Sequence, residues 1–123
     1  MADPGLIRIC ESASLDEGGL GVRFDVTTEQ FQGTGFVVRH QGQVRAYLNR
    51  CAHVGVELDW IPGHFLDGER RWLICAAHGA LYEPDTGACA GGPCAGRGGL
   101  VAMTVTEVDG VVYWRRAGAR SSA

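Results

Sequence analysis

The sequence predicts an all-β chain built on an antiparallel β-sandwich base. Three observations carry this reading. Apolar residues alternate with polar ones at a period of two, as where Val22, Phe24 and Val26 are set against Arg23 and Asp25, the pattern of a strand with one buried face. Short turn signals at Gln41-Gly42 and Val108-Asp109-Gly110 separate pairs of β-branched and aromatic runs, which reads as hairpins. No stretch shows the apolar period of a convincing amphipathic helix, and there is no internal repeat.

Taken in order, residues 6–10 and 21–27 are strands, and residues 12–19, which mix Ser, Asp, Glu and Gly without periodicity, form a surface loop between them. Residues 35–40 and 43–49 make the first hairpin. The turn Trp60-Ile61-Pro62-Gly63 carries two large apolar groups that are expected to pack inward. Strand character resumes over residues 69–75, returns over 80–83, and is broken by the turn Pro84-Asp85-Thr86-Gly87. Residues 88–99 are rich in Gly and by composition alone read as a flexible linker. Residues 100–107 and 111–115 form the last hairpin, and residues 117–123 a small, polar, frayed tail. The expectation is about eight strands in one domain spanning residues 1–123, since 123 residues suffice for a single core.

Composition narrows the function. The formal charge is −3, and the basic residues are scattered except for Arg115, Arg116 and Arg120, so no surface is built to track phosphates and nucleic acid is not an expected partner. No apolar run approaches the roughly 18 residues that span a bilayer, and residues 1–19 lack the charged and apolar regions of a signal peptide. A cytoplasmic protein without a membrane partner is expected. Five cysteines, an odd count, argue against a secreted disulfide framework. Cys10 sits in the apolar stretch Leu6-Ile7-Arg8-Ile9-Cys10 and reads as a small buried residue.

Two short stretches carry chemistry: Cys51-Ala52-His53 and Cys75-Ala76-Ala77-His78, separated by 21 residues, each pairing one thiol with one imidazole. Two thiolates and two imidazoles can hold zinc or an iron–sulfur cluster. The one-residue spacing of Cys51 and His53 is tighter than the usual clips of structural zinc sites, which sets the zinc reading behind. Each clip gives one ligand of each kind, so a dinuclear cluster could take both thiolates on one iron and both imidazoles on the other. His40 and His64 have no neighbouring thiol and read as surface or hydrogen-bonding residues.

This pattern, C-x-H followed by C-x-x-H, resembles the Rieske family. The resemblance runs from about Asn49 to Leu100 and takes in Gly55, Gly79, Tyr82, the Thr86-Gly87 turn and the Gly91-Gly92-Pro93 loop. A longer connection between the clips, over residues 60–71, departs from the soluble members. The resemblance implies one [2Fe–2S] cluster per chain on Cys51, His53, Cys75 and His78, carried by a small cluster-binding subdomain over residues 50–97 of the sandwich. Gly55, Gly79, Ala80, Tyr82 and Pro93 would surround it, with the Pro93 loop lying over the cluster. Cys89 and Cys94 flank that loop and could bridge, although a reducing cytosol disfavours a structural disulfide.

The function implied is a one-electron carrier with no catalytic residues and no small-molecule substrate of its own. It is similar to the Rieske-type ferredoxins that pass electrons from a reductase to the terminal component of a ring-hydroxylating oxygenase. The small subunit of an assimilatory nitrite reductase, a zinc-stabilised binding module and a redox sensor using Cys89 and Cys94 are alternatives. A full oxygenase subunit is excluded by length. The high-potential branch of the family has a disulfide between its two ligand loops and a Ser two residues after the second His. Val56, Ala77 and Ala80 occupy those positions here, so a potential low in the family's range is expected.

Overall fold

Alternate residues of one strand feed two different cores, and this sets the order of the layers. In the computed structural model, which describes residues 6–27, 32–50, 57–59, 63–66, 71–76, 79–92 and 99–115, the strand β3 (Gln32–His40) sends Phe36 and Val38 to one side and Val37 to the other. All three are fully buried. Its hairpin partner β4 (Gln43–Leu48) divides Tyr47 from Ala46 in the same way. A strand buried on both faces reads as a continuous apolar run, as Gly35-Phe36-Val37-Val38 does.

β3 and β4 form the middle of a four-stranded antiparallel sheet in the order β2 (Val22–Thr27), β3, β4, β8 (Ala102–Met103). On one face lies the three-stranded sheet β1 (Leu6–Glu11), β10 (Val111–Arg115) and β9 (Val105–Val108), with Cys10, Leu15, Val37, Ala46 and Val112 as the shared core. Phe24 and Trp114 meet across this interface with ring centroids 5.9 Å apart. These two sheets are the expected sandwich. On the opposite face of the middle sheet sits a small third sheet, β5 (Leu73–Ile74), β6 (Leu81–Tyr82) and β7 (Cys89–Gly91). It shares with the middle sheet a second core of Phe36, Val38, Tyr47, Leu58, Phe65, Leu73, Cys75, Ala80, Tyr82 and Leu100. Phe36 and Phe65 stack there at 3.9 Å. Each such large apolar side chain taken out of water contributes about 1.5–3 kcal/mol.

Ten strands, not about eight, occur among the described residues. Residues 100–107 are two strands because the chain changes sheet: Met103 pairs with Ala46 of the middle sheet, and Val105 with Trp114 of the outer one. Between them the Thr104 carbonyl accepts a hydrogen bond from the Arg115 amide at 2.9 Å. The third strand begins at Gln32, three residues before the expected start, because Gln32, Gly33 and Thr34 pair with β2 through their backbones. The Gly-rich stretch opens as strand β7. The strand expected over 69–75 is two residues long where it is described, since Cys75 already turns away. The loop 12–19 opens with a 3₁₀ turn (Ser12–Ser14) and buries Leu15.

Both predicted hairpin turns are as the sequence reads. Gln41 and Gly42 sit at φ 54° and 78°, and Asp109 and Gly110 at 52° and 79°, the left-handed pair that a two-residue hairpin requires. Glu17 accepts hydrogen bonds from the Gln41 and Gly42 amides at 2.6 and 2.7 Å. These bonds, Gly42 foremost, hold its carboxyl below the usual range. Arg39 ties the loop to both sheets, donating to the Leu15 carbonyl at 2.9 Å and to Glu107 at 2.8 Å. The tail 117–123 lies outside the described residues.

Candidate metal centre

The second Cys–His clip hangs on the end of a two-residue ladder. Leu73 pairs with Tyr82 and Ile74 with Leu81, and the chain between them turns through the clip. The turn is closed by its own backbone: the Cys75 amide donates to the Ala80 carbonyl at 2.9 Å, and the Gly79 amide to the Cys75 carbonyl at 2.8 Å. Gly79 takes φ 77°, a conformation that a side chain would strain. Cys75 is a fully buried thiol in the core with Leu58, Leu73, Ala80 and Tyr82, whereas Ala76 and Gly79 are exposed. Across this one turn the chain passes from a dry floor to the surface.

Of the first clip, residues 51–56, including Cys51, His53 and Gly55, lie outside the described residues, as do His78 and residues 93–98 with Pro93 and Cys94. What flanks the first clip is described. Asn49 and Asp59 are both buried, and the Asn49 amide nitrogen Nδ2 donates to Asp59 Oδ1 at 3.0 Å. Asn49 Oδ1 accepts the Leu58 amide at 2.8 Å. Leu58 then joins the two loops, because its carbonyl accepts the amide hydrogen of Ala76, the neighbour of Cys75, at 2.9 Å.

A third segment closes over the second clip. β7 lies beside β6, with Leu81 against Gly91 and Tyr82 against Cys89. Gly92 then turns at φ 82°, where a Cβ would stand 3.0 Å from the Gly79 carbonyl oxygen and 3.3 Å from the Ala80 Cα. A side chain there would strain the turn and press on the backbone of the clip. Cys89 is disulfide-bonded, with its sulfur 3.8 Å from the Gly91 carbonyl oxygen. Cys94, which by sequence could bridge to Cys89 although a reducing cytosol disfavours the bridge, lies outside the described residues. Gly99 returns the chain, packing where a Cβ would collide with the Gly87 carbonyl oxygen.

The remaining sequence candidates divide cleanly. His64 is exposed, and His40 Nδ1 lies 3.3 Å from Asp85 Oδ1. Cys10 is buried in the other core, and burial pushes its thiol pKa up. Among the described residues no three His, Cys, Asp or Glu side chains gather as a metal site, and of the four expected ligands only Cys75 is described. Sequence reading missed Asn49, Leu58 and Asp59. Their polar or apolar character is ordinary, and only the burial of a polar pair beside the first clip gives them away.

A buried thiol on a turn closed by backbone hydrogen bonds and lined by the small residues Gly79, Ala80 and Gly92 fits a soft, bulky inorganic centre. Such a β-scaffold is the frame of a small iron–sulfur protein. The model of the Rieske [2Fe-2S] domain matches residues 5–117, and the chain belongs to that family, whose cofactor is a [2Fe–2S] cluster. Among solved structures the chain is similar to the Sphingomonas yanoikuyae B1 ferredoxin, with 27% identity, a TM-score of 0.68, and coverage of 89% of this chain and 97% of that one. It is also similar to the ferredoxin of carbazole 1,9a-dioxygenase from Nocardioides aromaticivorans IC177, at 24% identity and a TM-score of 0.70 over 89% and 95% of the two chains. A chain of the complex of reduced oxygenase and oxidized ferredoxin in carbazole 1,9a-dioxygenase matches at 23% identity and a TM-score of 0.69, over 90% and 93%. No curated protein matches the chain. Among the described residues no helix is long and apolar enough to cross a membrane.

Proposed function

We propose that the protein is a one-electron carrier, the ferredoxin component that takes electrons from a reductase and delivers them to the terminal component of a ring-hydroxylating oxygenase. The observation that carries this is the match over 97% of a ferredoxin chain at 27% identity, joined to a buried Cys75 on a rigid clip. Cys51, His53, Cys75 and His78 are the proposed ligands, within a cluster-binding subdomain over residues 50–97 of a single domain. A [2Fe–2S] centre held there supplies reversible one-electron chemistry.

The chain's own residues set the conditions for that chemistry. The Cys75 amide and carbonyl are both engaged across the clip, so its sulfur stays fixed as charge changes nearby. Leu58, Leu73 and Tyr82 keep water from its floor. His53 and His78 are assigned the outer, solvent-facing positions, which makes their ring edges the shortest exit to a docked protein. With every ligand position filled by protein, no site is left for a substrate, and the reading is of a carrier, not an enzyme. The Gly91-Gly92-Pro93 loop is assigned the place over the site, and Cys94 is the proposed partner of Cys89. The protein is assigned to the cytoplasm.

Purification and reduction test the reading. The expected result is a red-brown protein with a Rieske-type EPR signal on reduction that restores turnover of a ring-hydroxylating oxygenase supplied with a reductase. A colourless zinc protein would overturn it.

A further inference from the structure

A buried polar pair fastens the two ends of the first ligand loop. Asn49 stands two residues before Cys51, and Asp59 six residues after His53. Both are buried, at 3% and 6% exposure, and they are the two buried polar residues among the described residues. Every described contact of the pair is matched donor to acceptor. Asn49 Nδ2 donates to Asp59 Oδ1, Asn49 Oδ1 accepts the Leu58 amide, and Asp59 Oδ2 accepts the Gly63 amide at 3.0 Å. Arg23 Nε lies 3.7 Å from the same Oδ2, and Arg23 Nη2 also donates to Glu57, which accepts a further bond from Thr34 Oγ1 at 2.6 Å. Buried charge and buried amide groups are retained at such a place only when fully partnered, because an unmatched one is costly.

Location gives the pair its role. The segment between Asn49 and Asp59 holds both proposed ligands of the first clip, and Leu58, oriented by Asn49, hydrogen-bonds Ala76 of the second clip. We propose that Asn49 and Asp59 form a clasp that closes the first ligand loop and positions Cys51 and His53 against Cys75 and His78. They are positioning residues, and the inference rests on the ligand assignment above.

The clasp has a chemical signature that mere packing lacks: its polarity can be reversed. In Asp59→Asn, one carboxylate oxygen becomes an amide donor and faces either Asn49 Nδ2 or the Gly63 amide, donor against donor. In Asn49→Asp, two carboxylate oxygens face each other. In the double variant Asn49→Asp/Asp59→Asn, the new Asp accepts from both the Leu58 amide and the new Asn, whose oxygen still accepts from Gly63. The three hydrogen bonds are restored, with the charge moved across the pair and away from Arg23.

The experiment compares the four proteins as purified with their cluster, recording loss of visible absorbance over time and the EPR g-values of the reduced form. Each single variant should lose its cluster about tenfold faster than wild type, the scale of one mismatched buried hydrogen bond, and show shifted g-values; the double variant should return to within about threefold. Single variants that behave as wild type overturn the clasp, and so does a double variant no better than the singles. If a single variant does not fold, recovery of a coloured double variant decides in favour and its failure decides against. A wild type without a Rieske signal would instead overturn the ligand assignment itself.

Discussion

The hydroxyl of Tyr47 donates a hydrogen bond to the carbonyl oxygen of Pro84 at 2.7 Å, with both residues buried. Tyr47 belongs to the middle sheet, and Pro84 to the turn after the second clip, so this bond ties the small third sheet to the sandwich. The ring also packs where a Cβ on Gly87 would stand 2.7 Å away. Tyr47→Phe keeps the ring and strands the Pro84 carbonyl, and should reduce stability by about 1–3 kcal/mol in urea titrations at neutral pH. Burial pushes the Tyr47 phenol up to about 12, above its ordinary 10.0. The folded state therefore retains this proton where the unfolded chain releases it. The contribution is complete below pH 10.0 and is lost as pH rises towards about 12. Wild-type stability should fall over that interval more steeply than that of the variant.

Glu17 predicts the opposite slope in acid. Its carboxylate is held down by the amides of Gly42 and Gln41, so the folded form sheds its proton more readily than the unfolded chain. The stability it adds is present above pH 4.5 and is lost as pH falls through the lower folded value. Glu17→Gln should show a shallower decline in urea midpoint with acidification than wild type. Equal slopes would mean that these two bonds contribute nothing to the hairpin.

Gly92 and Gly42 separate backbone strain from crowding at the site. Both are left-handed, at φ 82° and 78°, but nothing lies within 4 Å of a Cβ at Gly42, while one at Gly92 presses on the Gly79 carbonyl oxygen and the Ala80 Cα. Each Ala substitution should cost about 1–2 kcal/mol for the backbone conformation alone. Gly92→Ala should in addition displace the second clip and hasten loss of visible absorbance, and Gly42→Ala should not.

The all-β class was legible because alternation survives in Val22, Phe24 and Val26 and because Gln41-Gly42 and Asp109-Gly110 are chemically suited to their turns. The metal chemistry was legible in two short stretches, one of three residues and one of four. The change of sheet at Thr104 was not, since Val101, Met103 and Val105 keep one unbroken alternation while the partner changes from β4 to β10. Nor was the way β3 divides two cores between its faces, because Phe36 and Val37 are equally apolar and only the structure shows them serving different cores. Asn49 and Asp59 escaped notice for a related reason: a polar residue just past a strand or in a loop reads as solvated until its burial is known.

Ala80 sets the final prediction. It follows Gly79, is fully buried, and its carbonyl holds the Cys75 amide, so its side chain projects from the backbone that closes the clip. A methyl group there offers no hydrogen bond to sulfur. Donors to sulfur stabilise the additional negative charge of a reduced cluster, and their absence leaves the potential low. The midpoint of the wild-type protein should fall in the lower part of the roughly −150 to +300 mV span of Rieske centres. Ala80→Ser places a hydroxyl donor in the same small volume and should move the midpoint upward in a redox titration followed by EPR. The hydroxyl must turn toward the sulfur to act, so Ala80→Val, larger but without a donor, is the control. An upward shift in the Ser variant alone assigns the effect to the hydrogen bond; equal shifts in both would assign it to displacement of the clip.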